Sequence, residues 1–132
     1  MNDNPLLLIV DDDPDDIVLL KEAIHSIDET IAFAEANNGL AAMKMLQTIT
    51  DPLQLPSLIV LDINMPVLNG RELLAILKNE NKWKSLPVVV FSTSSYPGDV
   101  AYCRQFGVEL ITKPFGMKEL LIISGILIGL LK

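Results

Sequence analysis

The chain has 132 residues, half of them apolar, with 10 basic against 17 acidic side chains and a formal net charge of −7. That length and apolar share suffice for one packed core, and we expect a single domain over residues 1–132. The acidic excess, with no basic stripe, excludes nucleic acid as the natural partner, because such affinity comes from clustered Lys and Arg. The lone Cys103 excludes an internal disulfide, and the first residues lack the charged and apolar parts of a signal peptide, so the expected compartment is the cytoplasm.

In chain order, Leu6-Leu7-Leu8-Ile9-Val10 is an unbroken apolar run, the mark of a parallel strand covered on both faces. It stops at Asp11-Asp12-Asp13-Pro14-Asp15-Asp16, where Asp13 suits a helix N-cap, Pro14 the first helical position and the acids behind them the positive end of the helix dipole. Ile17, Leu20, Ile24 and Ile27 follow at helical spacing as one inward stripe, leaving His25, the only histidine, on the solvent side without a partner near in sequence. Residues 30–36 alternate as an edge strand does, and Asn38-Gly39 opens a second helix to about residue 49. A connection over 50–57, with Pro52 and Pro56, leads into Leu58-Ile59-Val60-Leu61, a buried strand that ends on Asp62.

Asn69-Gly70 opens a third helix with Leu73, Leu74 and Leu77 inward, and residues 79–85, Trp83 among them, read as polar loop. Val88-Val89-Val90-Phe91 is another buried strand, ending on Ser92-Thr93-Ser94-Ser95. A fourth helix over about 99–106 is closed by Gly107, and Leu110-Ile111-Thr112 is a short last strand ending at Lys113-Pro114. The final helix, from about Met117, is apolar over residues 120–131 except for Ser124 and two glycines. Those 12 residues are too few for a membrane span, which needs about 20, so we expect a helix buried on more than one side.

Five strands alternating with five helices imply an α/β fold, a doubly wound (βα)5 of the flavodoxin-like kind with a parallel five-stranded sheet in the order 2-1-3-4-5. In such sheets ligands bind outside the carboxyl ends of the strands, and four buried strands here end on polar groups: Asp11-Asp12, Asp62, Ser92 and Lys113. Strands one and three are neighbours in that order, so three carboxylates converge and need a cation. Oxygen ligands without His or Cys indicate a hard ion, and Mg²⁺ is the usual occupant where phosphate is handled. Taken singly, each polar group has a plainer explanation as a cap or turn former; their shared position at one sheet edge is what argues for a site.

Leu8-Ile9-Val10-Asp11-Asp12-Asp13-Pro14, Leu61-Asp62-Ile63-Asn64-Met65-Pro66 with Asn69-Gly70, the strand ending on Ser92, and Thr112-Lys113-Pro114-Phe115 together resemble the receiver domain of two-component response regulators. The resemblance covers nearly the whole chain. It implies that Asp62 is phosphorylated by a sensor histidine kinase or phosphotransfer protein, and that Asp11 and Asp12 hold Mg²⁺ with Asp62 and the backbone carbonyl of Asn64. It also implies that Ser92, with Thr93 beside it, turns to the phosphoryl group, that Lys113 pairs with it, and that the bond before Pro114 is cis. Thr93-Ser94 and the proline-containing insert before the central strand are similar to the single-domain regulators that accompany bacterial phytochromes. The chain departs from the family at Leu110, where many relatives carry the Tyr or Phe that reads out the switch, and in its unusually apolar last helix. Nothing follows Lys132, so no output domain is expected, and output is expected to pass through a homodimer or partner protein on the C-terminal helix, with no membrane.

Two readings from other classes compete. A haloacid-dehalogenase-type phosphatase also begins with a strand and Asp-x-Asp, which Asp11 and Asp13 satisfy, although the chain is short for that fold. A receiver-like scaffold that never phosphorylates is the other, and the intact set of acids, hydroxyl and lysine argues against it.

Overall fold

The computed structural model describes residues 5–93 and 96–131, so Ser94 and Ser95 of the polar run lie outside the described residues. Five strands pair in parallel, β1 (Leu6–Val10), β2 (Ala32–Ala36), β3 (Leu58–Leu61), β4 (Val88–Ser92) and β5 (Glu109–Thr112), in the order β2-β1-β3-β4-β5. The helices between them are α1 (Pro14–Ile27), α2 (Gly39–Gln47), α3 (Gly70–Asn79), α4 (Pro97–Gln105) and α5 (Met117–Leu131). The expected flavodoxin-like topology is the one observed.

The unbroken apolar runs have a direct cause. Side chains alternate across a strand, so a strand covered on both faces needs apolar residues at every position. Leu7, Ile9, Leu58, Val60, Val89 and Phe91 pack on one face with Ile17, Leu20 and Ile24 of α1 and Leu120, Leu127 and Ile128 of α5. Leu8, Val10, Ile59, Leu61, Val88 and Val90 pack on the other with α2, α3 and α4 through Leu46, Leu73, Leu77 and Cys103. Each such side chain contributes about 1.5–3 kcal/mol by leaving water.

Several local expectations need correction. Ile27, the last residue of α1, is half exposed, and Ala23, beside Leu20 and Ile24 on the inward face, completes the buried stripe instead. His25 does have a partner: its Nε2 lies 3.0 Å from the Ile31 carbonyl and its ring packs on Phe33 at 4.7 Å, contacts made only when β2 folds back beside α1. Trp83 is not loop surface but core, 2% exposed among the α2–α4 side chains, since a chain of turn bonds from Glu80 to Leu86 folds it inward. The second helix stops at Gln47, and α4 begins two residues early, at Pro97. Gly107 closes α4 as expected: at φ +69 its N–H donates to Arg104 and the next N–H, of Val108, to Cys103, a pairing that favours a residue without Cβ. The Lys113–Pro114 bond is trans rather than cis; an X–Pro bond prefers trans by about 0.5–1 kcal/mol unless its surroundings demand otherwise.

The last helix is buried on one side only. Leu120, Ser124, Leu127 and Ile128 face the sheet and α1, whereas Ile122, Ile126 and Leu130 are exposed. An edge position beside a single neighbouring helix leaves its outer face uncovered. No helix among the described residues is long and apolar enough to cross a membrane.

Candidate functional site

Strand register assembles the site. Val10 pairs with Leu61, so one residue further Asp11 stands beside Asp62, and the ladder continues through the Asp62 N–H to the Val10 carbonyl at 2.9 Å. Ser92 pairs with Thr112, and the Lys113 N–H reaches the Ser92 carbonyl at 2.8 Å. Residues distant in sequence are thereby fixed at one sheet edge by backbone bonds alone. Asp11, Asp12 and Asp62 offer carboxylate oxygens that all lie within 4.8 Å of one another.

Lys113 reaches into this cluster. Its Nζ donates to Asp11 Oδ2 at 2.7 Å, Asp16 Oδ2 at 2.8 Å and Asp62 Oδ2 at 3.3 Å, and stands 6.0 Å from the centre of the Phe91 ring. Burial alone would lower the Lys113 pKa, but the hydrogen bonds it donates to Asp11 and Asp16 and the charges of Asp62 and Asp11 raise it, so the group is a fixed cation. The Asp11 pKa is raised as well, which for a carboxyl favours the neutral form. Its burial pushes the carboxyl up to about 6 against the pull of Lys113 and of the Asp13 N–H, with the Asp62 charge adding to the rise. One lysine therefore does not neutralise the cluster. A donor set made only of carboxylates, close together and short of positive charge, fits a hard divalent cation.

The loop between β3 and α3 frames Asp62. Its Oδ1 accepts from the Asn64 N–H at 3.4 Å, while Val67 and Leu68 take left-handed backbone angles, φ 50 and 66. Such angles cost a side-chain-bearing residue about 1 kcal/mol or more each. They are held by bonds from Gly39 and Leu40 N–H to the Leu68 and Val67 carbonyls at 3.0 and 3.4 Å. At the end of the loop Asn69 and Glu72 form a reciprocal capping box on α3. Gly70 is required there, because a Cβ would collide with the Asp62 carbonyl oxygen.

Of the other expected residues, Ser92 is wholly buried at the end of β4, Thr93 is exposed beside it, and Asn64 is exposed. Leu110 is half-buried, packed against the α2–α4 layer and lining a groove of about 440 Å³ with Val100, Arg104 and Glu109. Asp13 accepts the Asp15 and Asp16 N–H groups at the start of α1. A nucleophile pair of Asp11 and Asp13, as in a haloacid-dehalogenase-type phosphatase, is therefore not what the fold builds. Two features escaped the sequence reading. Asp16 was indistinguishable from Asp15 as a helix-dipole acid, and only the fold sets it against Lys113. The pair Arg71–Asp99, 2.7 Å apart with Tyr102 stacked on the guanidinium at 4.7 Å, ties α3 to α4 and carried no local signal.

The family model described as the response regulator receiver domain matches residues 7–123. The chain belongs to that family. Among curated relatives, it is 34% identical to response regulator Rcp1 of Synechocystis sp. over 90% of this chain and 83% of that protein. It is also 32% identical to a protein-glutamate methylesterase/protein-glutamine glutaminase of Syntrophomonas wolfei, but spans only 32% of that protein's length. Among solved structures, the phosphorylated cyanobacterial phytochrome response regulator RcpA aligns with a TM-score of 0.83 at 32% identity, over 93% of this chain and 91% of that one. The Mn²⁺-bound form of Rcp1 aligns at 0.81 and 32% identity, over 91% and 88%.

Proposed function

We propose that the chain is a phosphorylation-dependent signalling switch in which Asp62 accepts a phosphoryl group from a histidine kinase or phosphotransfer protein. The observation that carries this reading is the convergence of Asp11, Asp12 and Asp62 with the Lys113 ammonium at the carboxyl edge of the sheet. An Asp62 oxygen attacks phosphorus, the bond from phosphorus to the donor histidine nitrogen breaks, and that nitrogen keeps the electron pair. Lys113 holds positive charge where the phosphoryl oxygens arrive, and the Asn64 N–H orients the other Asp62 oxygen. Asp11, Asp12, Asp62 and the Asn64 carbonyl would hold Mg²⁺, which when bound neutralises charge that develops on the transferring group. The two solved relatives, one phosphorylated and one Mn²⁺-bound, support the same chemistry.

The product carries about one more negative charge than the carboxylate. Ser92, with Thr93 beside it, is the group we assign to answer it by moving towards the phosphoryl oxygens, and Leu110 takes the readout position without an aromatic ring. The signal leaves through α4, β5 and α5, where the uncovered outer face of α5 meets a second copy or a partner protein. The chain acts in the cytoplasm as a phosphoacceptor rather than as an enzyme on an outside substrate.

Treatment with acetyl phosphate and Mg²⁺, followed by mass spectrometry, tests the assignment. Wild type should gain one phospho-adduct and Asp62→Asn none, since the amide is nearly isosteric but not nucleophilic. An undiminished adduct in the variant would falsify it, and failure of wild type to react would favour a receiver-like scaffold.

A further inference from the structure

An ammonium group has three N–H donors, and in Lys113 all three are spent on carboxylates. The two short bonds go to Asp11 and Asp16, and the longest, 3.3 Å, goes to the proposed acceptor Asp62. The N–H directed at Asp62 is the one available to a phosphoryl oxygen, and for the ammonium to close that distance it must draw away from Asp11 or Asp16. Asp11 is a poor candidate, because it is buried and cannot turn out to solvent. The Asp16 side chain is 33% exposed, so it can return to solvent at small cost. A cleft of about 50 Å³ lies beside the pair, lined by Asp16, Leu19, Phe91, Lys113, Pro114 and Leu120, with room for water around a released carboxylate.

We propose that Asp16 is a positioning residue that holds the Lys113 ammonium back from Asp62 in the resting protein and yields it when a phosphoryl group arrives. Asp16 touches no reacting atom; it acts through Lys113, and the proposal rests on the reading of Asp62 as acceptor. Its effect is to restrain phosphorylation. Removing its charge frees Lys113 to turn towards the site, and a phosphoryl group gains more from that than a carboxylate does, because it carries more negative charge. Lys113 donates to Asp16 from the loop that leads into α5, so release of Asp16 also loosens the tie between that loop and the first turn of α1.

Asp15 supplies the control. It sits in the same helical turn, its N–H bonds the same Asp13 cap, and it contributes the same charge to the helix dipole, yet no Lys113 bond reaches it among the described residues. Beryllofluoride binding in saturating Mg²⁺, measured by calorimetry on the full chain, separates the two roles. Asp16→Asn should bind about two- to fivefold more tightly than wild type, the scale of a partly exposed ion pair. Asp15→Asn should match wild type. Asp16→Glu, which keeps the charge on a longer arm, should restore wild-type affinity. Equal or weaker binding by Asp16→Asn relative to Asp15→Asn overturns the role of Asp16 and leaves Asp62 untouched as acceptor. Absence of beryllofluoride binding by wild type overturns both readings at once.

Discussion

At the scale of single residues, the site works by leaving charge unbalanced. Asp11 is 5% exposed and its carboxyl rises from 3.8 to about 6, chiefly through burial, so the folded metal-free protein holds that proton more tightly than the unfolded chain. The sign of the pH dependence follows from linkage. Stability from this group is fully present below about pH 4 and is lost as pH rises through about 6, because ionising a buried acid opposes folding. Urea midpoints in the presence of a chelator should therefore fall across that window in wild type and stay level in Asp11→Asn, whose amide carries no charge to lose. Addition of Mg²⁺ should flatten the wild-type profile by favouring the ionised form. Parallel profiles for the two proteins without metal would show that Asp11 titrates as an ordinary carboxylate. The same imbalance separates Asp16 from its neighbours: it shares Lys113 with two buried acids but is itself in reach of water.

At the scale of elements, the loop from β3 to α3 carries stress so that Asp62 can be held. Val67 and Leu68 pay for their left-handed angles with bonds to the start of α2, and Gly70 lets the first turn of α3 lie directly on the Asp62 backbone. Gly70→Ala should lower stability by about 1–3 kcal/mol, the range for forcing a methyl group into a packed site, despite the better helix propensity of alanine. It should also slow reaction with acetyl phosphate, since the clash moves Asp62 itself; an unchanged urea midpoint would show that the loop yields freely. The strands and the acids at their ends were legible in the sequence because apolar runs, caps and abrupt polar stops are local signals. Trp83, His25 and Asp16 were not legible, for one shared reason. Each owes its place to a partner more than local spacing can reveal: Trp83 to the α2–α4 layer, His25 to a carbonyl leading into β2, Asp16 to a lysine from the far end of the chain. The Arg71–Asp99 pair belongs with them, since two ordinary helix-surface charges become a link between α3 and α4 only when the sheet sets those helices side by side.

At the scale of the whole molecule, the unresolved asymmetry is α5. Its inner residues Leu120, Ser124, Leu127 and Ile128 are buried, while Leu121, Ile122, Ile126 and Leu130 stand outside, with Ile122 and Ile126 at 60% and 51% exposure. Positions 121, 122, 125, 126, 129 and 130 recur at helical spacing and form one continuous outer stripe. Gly125 and Gly129 meet open space on it, which lets another surface approach the backbone closely. An apolar stripe of that extent on an otherwise strongly acidic protein is costly to leave in water, which supports the contact surface proposed for α5. A second copy related by a two-fold axis satisfies it most economically, because the same stripe then serves both partners. Light scattering should accordingly find self-association in wild type whose extent changes on adding beryllofluoride and Mg²⁺, with Ser92 carrying the change in the absence of an aromatic side chain at 110. Ile122→Lys and Ile126→Lys should remain monomeric in both states and still form the phospho-adduct at Asp62, because neither residue approaches the acid cluster. A wild-type protein that stays monomeric with and without the mimic would reject a second copy as the occupant.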